Sequence, residues 1–282
     1  MKQLSLSWVA ILLMAVMSCR QEGKSSEGMS AEQALQFITL SQERTLQYEI
    51  AGEYADEKPY YSNAQVDLIW PQLIAGDAEL ADLQQAMLQT LFADSVSATL
   101  DEAVERMLST PLDVVAAECS NIEVVDSADA DWTHMSASSL TVQLLRADSR
   151  LIVFQGKVYD YFAGAAHPMT ACLYVNYDVK RHRVIRLDDV ITDRDALARL
   201  LSRIYTDERC ASSTHGFNTF ESDGGYDIPA TDNFCITPEG LSFVYQPYEI
   251  AAYAEGVQTI RVSFYELLDA HILTARFQDV EF

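Results

Sequence analysis

The stretch that decides the fold is Ser139–Phe162, SLTVQLLRADSRLIVFQGKVYDYF, in the middle of the chain. It contains two runs, Ser139–Arg146 and Arg150–Phe162, in which apolar residues alternate with polar ones, and this period of two is typical of β-strands. The triplet Ala147-Asp148-Ser149 between the runs predicts a tight turn. The stretch therefore predicts an antiparallel hairpin, and we place the change between two halves of the molecule there.

Further hairpins flank this one on both sides. The sequence predicts additional strands over Thr45–Tyr54, Tyr60–Trp70, Asn121–Asp126, Ala171–Asp178, Arg183–Leu187, Asn233–Thr237, Leu241–Tyr245 and Gln258–Phe264. Hairpins that are interrupted by helices, without regular βαβ alternation, predict an α+β fold. We expect antiparallel sheets from hairpins with interspersed helices, in which the two halves pack as one unit because the central hairpin has edges to pair and a face to bury.

Apolar residues at helical spacing predict the helices. After Asp77, a plausible N-cap, one face collects Leu80, Leu83, Met87, Leu88 and Leu91. A second helix is predicted from Val96 to Leu108 and ends at Thr110-Pro111, since proline stops a helix. The other predictions are a short helix over Ala31–Phe37, a helix that Thr192 opens with Asp195 in capping-box style, a long loop over residues 207–232 and a closing helix over Tyr265–Ala270.

The N-terminus has the features of a secreted lipoprotein. An apolar run from Leu4 to Met17 follows Lys2 and is too short to span a bilayer as a mature helix, so residues 1–18 are predicted to be a signal peptide. The run ends in Val16-Met17-Ser18-Cys19, which resembles a bacterial lipobox and predicts a diacylated Cys19; an ordinary secretory signal is the alternative. Two acyl chains are enough to hold a protein on a membrane.

These boundaries give the predicted domain organisation and location. Residues 19–30 are polar and without periodicity, which indicates a flexible tether, and are followed by an N-terminal α+β domain over residues 31–146 and a C-terminal domain over residues 147–282. The predicted location is the cell envelope, on a membrane facing the periplasm or the cell surface. No second apolar stretch approaches the roughly 20 residues that a spanning helix needs.

Composition and charge exclude several classes of function. The 282 residues include 42 acidic and 19 basic ones, so the formal net charge is −23. Such a surface repels phosphate backbones, which argues against nucleic acid as a partner. The sequence has no G-x-S-x-G, no phosphate-binding loop and no dinucleotide fingerprint, and its histidines lack zinc-site spacing, so we expect no metal and no cofactor.

Four cysteines remain after Cys19: Cys119, Cys172, Cys210 and Cys235. In an oxidising compartment they allow one or two disulfides, and three complete pairings are open. Cys172 and Cys235 lie inside apolar strand-like runs, where a buried thiol is an equal alternative to a bridge.

The second half resembles a known family. The resemblance rests on the segments YDYFAGAAHP (Tyr159–Pro168), LYVNYD (Leu173–Asp178), LDDV (Leu187–Val190), NFCITPEGL (Asn233–Leu241) and QPYEIAAYAEG (Gln246–Gly256), which occur in the family's order. Residues 150–268 thereby resemble the C-terminal ectodomain family of RsiV, a lysozyme-sensing anti-sigma factor, which also occurs in bacterial lipoproteins. Residues 45–125 more weakly resemble the companion N-terminal domain, found also in the peptidoglycan deacetylase PdaC. Position 165 is Ala where the family has Gly, so a positive φ there would be strained.

The resemblance implies a binding or sensing module for peptidoglycan, a related glycan or a lysozyme-like enzyme, with no catalysis. Its predicted binding residues are aromatic, acidic or turn-forming: Tyr159, Tyr161, Gly164, His167, Tyr245, Tyr248, Glu249 and Tyr253. Aromatic rings stack on sugars and acidic groups bond hydroxyls, although core packing explains the tyrosines equally well. The alternative function is a carbohydrate-active hydrolase or deacetylase that uses His167 as acid or base with nearby acidic residues.

Overall fold

A computed structural model describes residues 36–50, 58–72, 80–112, 119–212, 221–222 and 225–278. The predicted signal peptide, Cys19, the tether and the predicted cap Asp77 lie outside the described residues, as does the side chain of Cys210. Among the described helices, none combines the length and the apolar character that a membrane crossing requires.

The described chain forms an α+β fold around one large sheet. Seven strands make this sheet, in the spatial order β3-β1-β2-β4-β5-β6-β7. They are β1 (Gln36–Ile50), β2 (Tyr60–Gln72), β3 (Cys119–Val125), β4 (Met135–Ala147), β5 (Leu151–Tyr161), β6 (Met169–Asp178) and β7 (Arg183–Val184). All neighbours are antiparallel except β2 and β4, which run parallel. The predicted boundary after residue 146 falls within this sheet. Strands β1–β3 and all but the last residue of β4 precede the boundary, and β5–β7 follow it.

Two smaller sheets and six helices complete the described structure. The strands are β8 (Glu221–Ser222) with β9 (Gly225–Tyr226), and β10 (Phe234–Ile236), β11 (Gly240–Tyr245) and β12 (Gln258–Ser263) in a three-stranded antiparallel sheet. The helices are α1 (Ala81–Leu91), α2 (Leu100–Ser109), α3 (Leu187–Val190), α4 (Arg194–Ser212), α5 (Phe264–Asp269) and α6 (Ala275–Gln278).

The large sheet has a hydrophobic core on each face. On one face the apolar side chains of β2, β4 and β5 pack against the buried faces of α1 and α2, with Phe154, Leu83 and Met87 fully buried. On the other face Leu151 and Val153 of β5 pack against α4 and the three-stranded sheet. Successive side chains of β5 therefore point alternately into two different cores. For this reason its first four residues, Leu151–Phe154, are all buried.

Side-chain amides join the three-stranded sheet to the outer edge of β6. In the described structure β7 pairs with β6 at only two residues, which leaves most of that edge without a strand partner. The carboxamide of Asn176 donates to the carbonyl of Phe234 at 2.8 Å and accepts from the amide of Ile236 at 3.0 Å. The carboxamide of Gln246 likewise bonds both backbone groups of Cys172 at 2.8 Å. The bonds of Asn176 satisfy backbone groups of the buried strand β10. The carbonyl of Cys172 also accepts from the side-chain amide of Asn233 at 2.8 Å.

Asp94 organises the connection between α1 and α2. Its buried carboxylate accepts hydrogen bonds from the Ser97 hydroxyl at 2.6 Å and from the amides of Ser97 and Val96 at 2.8 Å, and Arg106 Nε lies 3.1 Å away. These contacts, the Ser97 hydroxyl first, lower the pKa of Asp94 from 3.8 to about 2. The charged carboxylate therefore stabilises the folded state.

Several predicted boundaries differ from the structure. Gln36 and Phe37 belong to β1 rather than to a helix, and within the predicted loop over residues 207–232 α4 continues to Ser212 and β8 and β9 form. The second helix begins at Leu100, where Thr99 caps it, so Val96 lies outside it and is 73% exposed.

The start of α4 also differs from the prediction. Asp193, rather than Thr192, accepts the capping hydrogen bond from the amide of Ala196 at 2.9 Å. The hydroxyl of Thr192 instead donates to the carbonyl of Ile272 at 3.1 Å, which ties this corner to the C-terminal segment.

Candidate functional site

The turn between β5 and β6 places four of the eight predicted site residues, Tyr159, Tyr161, Gly164 and His167, at one end of the large sheet. Gly164 adopts a positive φ of 79°, and the amide of Ala165 donates to the carbonyl of Phe162 at 2.9 Å, which closes the turn. Ala165 itself has no positive φ, so the strain expected from Ala at this position is absent and only Gly164 needs glycine's freedom. The turn is fixed to β4 by a 2.9 Å bond from the Ala163 amide to the Ser136 hydroxyl.

His167, which follows this turn, is held on three sides. Its ring stacks on Tyr253 with centroids 3.7 Å apart and an interplanar angle of 20°. Nδ1 lies 3.1 Å from the carbonyl of Pro168, and Nε2 lies 3.2 Å from the Tyr248 hydroxyl. Because a carbonyl only accepts, these partners assign the proton of the neutral ring to Nδ1 and make Nε2 the acceptor of the Tyr248 O–H. We call His167, Tyr248 and Tyr253 the aromatic cluster.

The segment Gln246–Gly256 supplies the other two rings of the cluster. Its first turn is closed by the Glu249 carboxylate, which accepts from the amide of Gln246 at 2.6 Å, and by the amide of Tyr248, which donates to the carbonyl of Ala251 at 3.1 Å. The Tyr253 hydroxyl donates to the carbonyl of Pro168 and so ties this segment to the turn before β6.

Tyr248 combines exposure with an unusual backbone. Its side chain is 55% exposed, and its φ is 73°, in the left-handed region that bulky residues rarely adopt. The surrounding turn bonds therefore hold an exposed phenol ring in a conformation that the isolated residue would disfavour. Strain of this kind is concentrated at binding and catalytic sites.

Two predicted tyrosines lie on the large sheet beside the cluster. Tyr159 is 40% exposed and pairs with Ser139 on β4 and Thr170 on β6. Tyr161 is half-buried at the end of β5. Thr170 is two residues beyond Pro168, whose carbonyl accepts from Tyr253, so Tyr159 flanks the segment that carries the cluster.

Tyr245 is not part of this surface. It is 1% exposed in the core beneath the three-stranded sheet, where its hydroxyl donates to the carbonyl of Pro229 at 2.6 Å. Burial raises the pKa of its phenol. In the sequence Tyr245 lies three residues before Tyr248, and no pattern there indicates that one ring is buried and the other exposed.

Cys235 lies in the described core and shows no feature of a reactive thiol. Cys172 and Cys235 are free thiols in this structure, so the complete disulfide pairings, each of which uses both, are not formed. Burial raises the pKa of Cys235 to about 11, which disfavours the nucleophilic thiolate.

The predicted site residues lie apart from the cavity along α4, and they belong to no metal cluster in the described part of the chain. Within the described ranges, no three His, Cys, Asp or Glu side chains are grouped so as to hold a metal ion. A cavity of about 750 Å³ lies along α4 and β9, where its lining includes Arg199, Arg203 and Tyr226. The predicted site is thus an exposed surface rather than a cavity.

The sequence analysis did not single out the exposed part of the large sheet's second face, which continues beyond the core formed with α4 and the three-stranded sheet. Polar side chains project from β1, β2, β4 and β5 on the face opposite α1 and α2, and those of Glu43, Gln65, Gln143 and Lys157 are exposed. The alternation of these strands could have indicated this polar face, because the residues between the apolar ones are nearly all polar.

Comparisons with known proteins agree on the fold. A family model described as "Protein of unknown function (DUF3298)" matches residues 188–265. The structure is similar to that of a DUF3298 family member from Bacteroides fragilis, with a TM-score of 0.60 and 20% sequence identity over 86% of this chain and 94% of that one. It is also similar to a DUF3298 family protein from Pseudomonas aeruginosa, with a TM-score of 0.57 and 16% identity over 86% of this chain and 96% of that one.

No curated protein matches the sequence. At identities of 20% and 16%, the two structural similarities establish a shared fold alone. Residues 188–265 therefore match the DUF3298 model, and the fold is similar to that of two solved DUF3298 family proteins.

Proposed function

We propose that this chain is a lipid-anchored cell-envelope protein of the RsiV-like type that binds a peptidoglycan-type glycan, without catalysis, at the aromatic cluster. The observation that carries the proposal is the exposed, strained Tyr248 ring held by His167 and Tyr253. A ring fixed in this way loses little conformational entropy when a sugar stacks on it. The Tyr159 phenol lies nearby on β5, paired with Thr170 of β6.

The environment of His167 supports binding rather than catalysis. A general base needs a ring nitrogen that faces substrate, but Nδ1 and Nε2 both contact groups of the protein. The Glu249 carboxylate is similarly engaged by the backbone of its own turn. A hydrolase or deacetylase built on His167 would have to break the hydrogen bond to Tyr248, so we assign His167 a positioning role.

The net charge supports a second ligand, a lysozyme-like enzyme. A formal charge of −23 attracts a cationic protein, and attraction of this kind raises the association rate and weakens as salt screens it. We prefer the glycan as the ligand because the cluster offers aromatic rings and neutral hydrogen-bonding groups at its centre. The negative charge of the protein would then act over its whole surface and not at the cluster itself.

Co-sedimentation with purified peptidoglycan sacculi tests the proposal. The full chain in detergent is incubated with sacculi, and separately with lysozyme at low and physiological salt, while soluble fragments are measured. We expect wild-type protein to sediment with sacculi and to release no fragments. Tyr248→Ala should weaken binding about tenfold, whereas Tyr265→Ala, at a tyrosine that is 78% exposed on α5, should not.

The outcomes separate the candidate functions. Binding to lysozyme alone, with loss at higher salt, would replace the glycan by the enzyme as ligand. Fragment release that His167→Ala abolishes would establish the hydrolase alternative. Equal sedimentation of the Tyr248 and Tyr265 variants would remove the aromatic cluster from the proposal.

The envelope location has its own test at Cys19. Growth with labelled palmitate should label the wild-type chain and leave Cys19→Ala unlabelled, because diacylation requires the thiol of that residue. If both chains fractionate as soluble protein, Cys19 is not an anchor.

A further inference from the structure

Two arginines of α4 line the cavity between this helix and β9. Arg199 and Arg203 are one helical turn apart, so their side chains lie on the same face of the helix, with their Cβ atoms about 6 Å apart. Both side chains are exposed, and the cavity that they line has a volume of about 750 Å³. This volume lies within the range of roughly 300–1,000 Å³ that is typical of sites for small ligands.

These two guanidinium groups form no ion pair with any described residue, although the protein is strongly acidic. The charge of Arg203 contributes to lowering the pKa of Glu266, but the Ser263 hydroxyl has the largest effect on that pKa. That hydroxyl and the Ser263 amide already bond the Glu266 carboxylate at 2.7 and 2.9 Å. The arginines that do form ion pairs with carboxylates are Arg44, Arg106, Arg146, Arg181, Arg183, Arg194, Arg209 and Arg276. Arg199 and Arg203 therefore remain available to an anionic group of a ligand.

The wall of the cavity opposite α4 is fixed by close contacts. The hydroxyl of Thr206 accepts from the amide of Tyr226 at 3.0 Å. Gly225 has a φ of 120°, and a Cβ atom there would lie 2.7 Å from the Thr206 hydroxyl oxygen, so only glycine allows this approach of β9 to the helix. The Tyr226 ring packs edge-on against Tyr205, with centroids 5.1 Å apart. The cavity thus exists before a ligand binds.

Acidic residues flank the arginine pair along the helix. Asp195 lies one turn before Arg199, Asp207 lies one turn after Arg203, and Asp227 adds a carboxylate from the segment after β9. Neighbouring positions of this stripe are separated by four residues, or about 6 Å along the helix axis. The lining contains three carboxylates and two guanidinium groups. A simple anion therefore meets no net positive charge there, whereas a ligand with both signs of charge finds partners for each.

We propose that this cavity binds a short zwitterionic peptide, with its terminal carboxylate between Arg199 and Arg203 and its terminal ammonium group at Asp195 or Asp207. A guanidinium group donates two parallel hydrogen bonds to a carboxylate. Two extended residues span at most roughly 7 Å, which is close to the rise of about 6 Å between each arginine and its acidic neighbour. The spacing therefore fits a dipeptide. The inference goes beyond the proposed function, because the cavity shares no residue with the aromatic cluster.

Calorimetric titration of the full chain in detergent at low salt tests the proposal. The probes are L-alanyl-L-alanine, its N-acetyl form, its C-terminal amide and inorganic phosphate. We expect the free dipeptide to bind and each blocked form to bind at least tenfold more weakly, because each has lost one terminal charge. D-alanyl-D-alanine forms a second arm that distinguishes the source of the peptide. Tighter binding of this form would identify cell-wall peptides, and tighter binding of the L form would identify fragments of proteins.

The double variant Arg199→Gln with Arg203→Gln should lose at least tenfold in affinity for the free dipeptide. The matched control is Arg186→Gln with Arg261→Gln, since these two arginines are also exposed but do not line the cavity. The control changes the net charge by the same amount and should bind every probe as wild type does. Thermal unfolding should show that both variants are folded.

The acidic residues have a separate variant. Asp195→Asn with Asp207→Asn should weaken the free dipeptide at least tenfold and should not weaken the N-acetyl form, which has no ammonium group. Absence of dipeptide binding, or equal affinity in the arginine variant and its control, would overturn the proposal. Phosphate or the N-acetyl form binding as tightly as the free dipeptide would replace the zwitterionic peptide by a simple anion. None of these results affects the proposed function, which the Tyr248 variant tests at the aromatic cluster.

Discussion

The backbone of Tyr248 leads to a prediction in which glycine stabilises the protein more than alanine. A non-glycine residue in the left-handed region costs about 1–2 kcal/mol, and Tyr248 has a φ of 73°. Tyr248→Ala and Tyr248→Gly both remove the ring and its hydrogen bond to His167, so these losses cancel when the two variants are compared. The comparison therefore leaves only the backbone strain and the unfolded-state entropy of glycine.

The expected difference follows from two opposing effects. Glycine relieves about 1–2 kcal/mol of strain, but it costs about 0.4–1 kcal/mol through the greater entropy of the unfolded chain. The two ranges differ by about 0–1.6 kcal/mol. Tyr248→Gly should thus be about 0.8 kcal/mol more stable than Tyr248→Ala, which corresponds to roughly 2–3 °C in Tm for a protein of this size. Thermal unfolding followed by circular dichroism measures this difference.

Tyr265 provides the matched control with the opposite sign. It is an exposed tyrosine in α5, where glycine is about 1 kcal/mol less favourable than alanine. Tyr265→Gly should therefore melt below Tyr265→Ala. If Tyr248→Gly also melts below Tyr248→Ala, the left-handed strain at this residue is refuted. Both Tyr248 variants should lose sacculus binding equally, since each lacks the ring.

Three further predictions concern the stability of the scaffold. The pKa of Asp94 is lowered from 3.8 to about 2, chiefly by the Ser97 hydroxyl. Its charged carboxylate therefore contributes about 2 kcal/mol to the free energy of unfolding above pH 3.8, and this contribution is lost as the pH falls towards 2. Asp94→Asn should reduce the acid sensitivity of urea unfolding across this range, and an unchanged profile would contradict the assignment. Asn176→Leu should cost about 2–4 kcal/mol because it leaves two buried backbone groups of β10 without partners. Gln89→Leu, at an exposed position of α1, should change stability by less than about 0.5 kcal/mol. Equal effects of the two substitutions would show that the amide bonds contribute nothing. A fragment of residues 147–282 should be protease-sensitive because β5 loses its pairing with β4, and cooperative unfolding like that of the full chain would establish an independent domain.

The sequence was sufficient for elements whose local pattern and tertiary role agree. Leu83, Met87, Leu88 and Leu91 were predicted on one face of a helix, and all are buried in α1. The hairpin of β4 and β5 was predicted from alternation and turn residues and is confirmed by its antiparallel pairing. Periodicity identifies such elements because one buried face determines each of them.

The parts that were not predicted depend on contacts between distant residues. Val96 fits the helical spacing, but the bonds of Asp94 to residues 96 and 97 hold that segment in a turn. The parallel pairing of β2 with β4 requires a crossover through α1, α2 and β3, and no local pattern encodes which strand lies beside which.

The candidate site shows the same division. His167, Tyr248 and Tyr253 were predicted from motifs that lie about 80 residues apart, and the structure brings them together. Tyr245 was predicted with them because the sequence shows only its proximity to Tyr248, whereas its ring points into the core beneath the three-stranded sheet. Alternation along a strand does not determine which face of the strand is buried when other elements can pack against either face.

The construction of the cluster from two distant segments has a consequence for the binding of any ligand that contacts both. The turn before β6 and the segment Gln246–Gly256 belong to different layers, which the amides of Asn176 and Gln246 hold together. A ligand that contacts both segments binds only the docked arrangement, so it stabilises that arrangement by about 2.7 kcal/mol at a free concentration one hundred times its Kd. Binding of such a ligand would thereby tighten the junction between the large sheet and the three-stranded sheet, and it would be detected as increased protection of the β6 and β10 amides from hydrogen exchange.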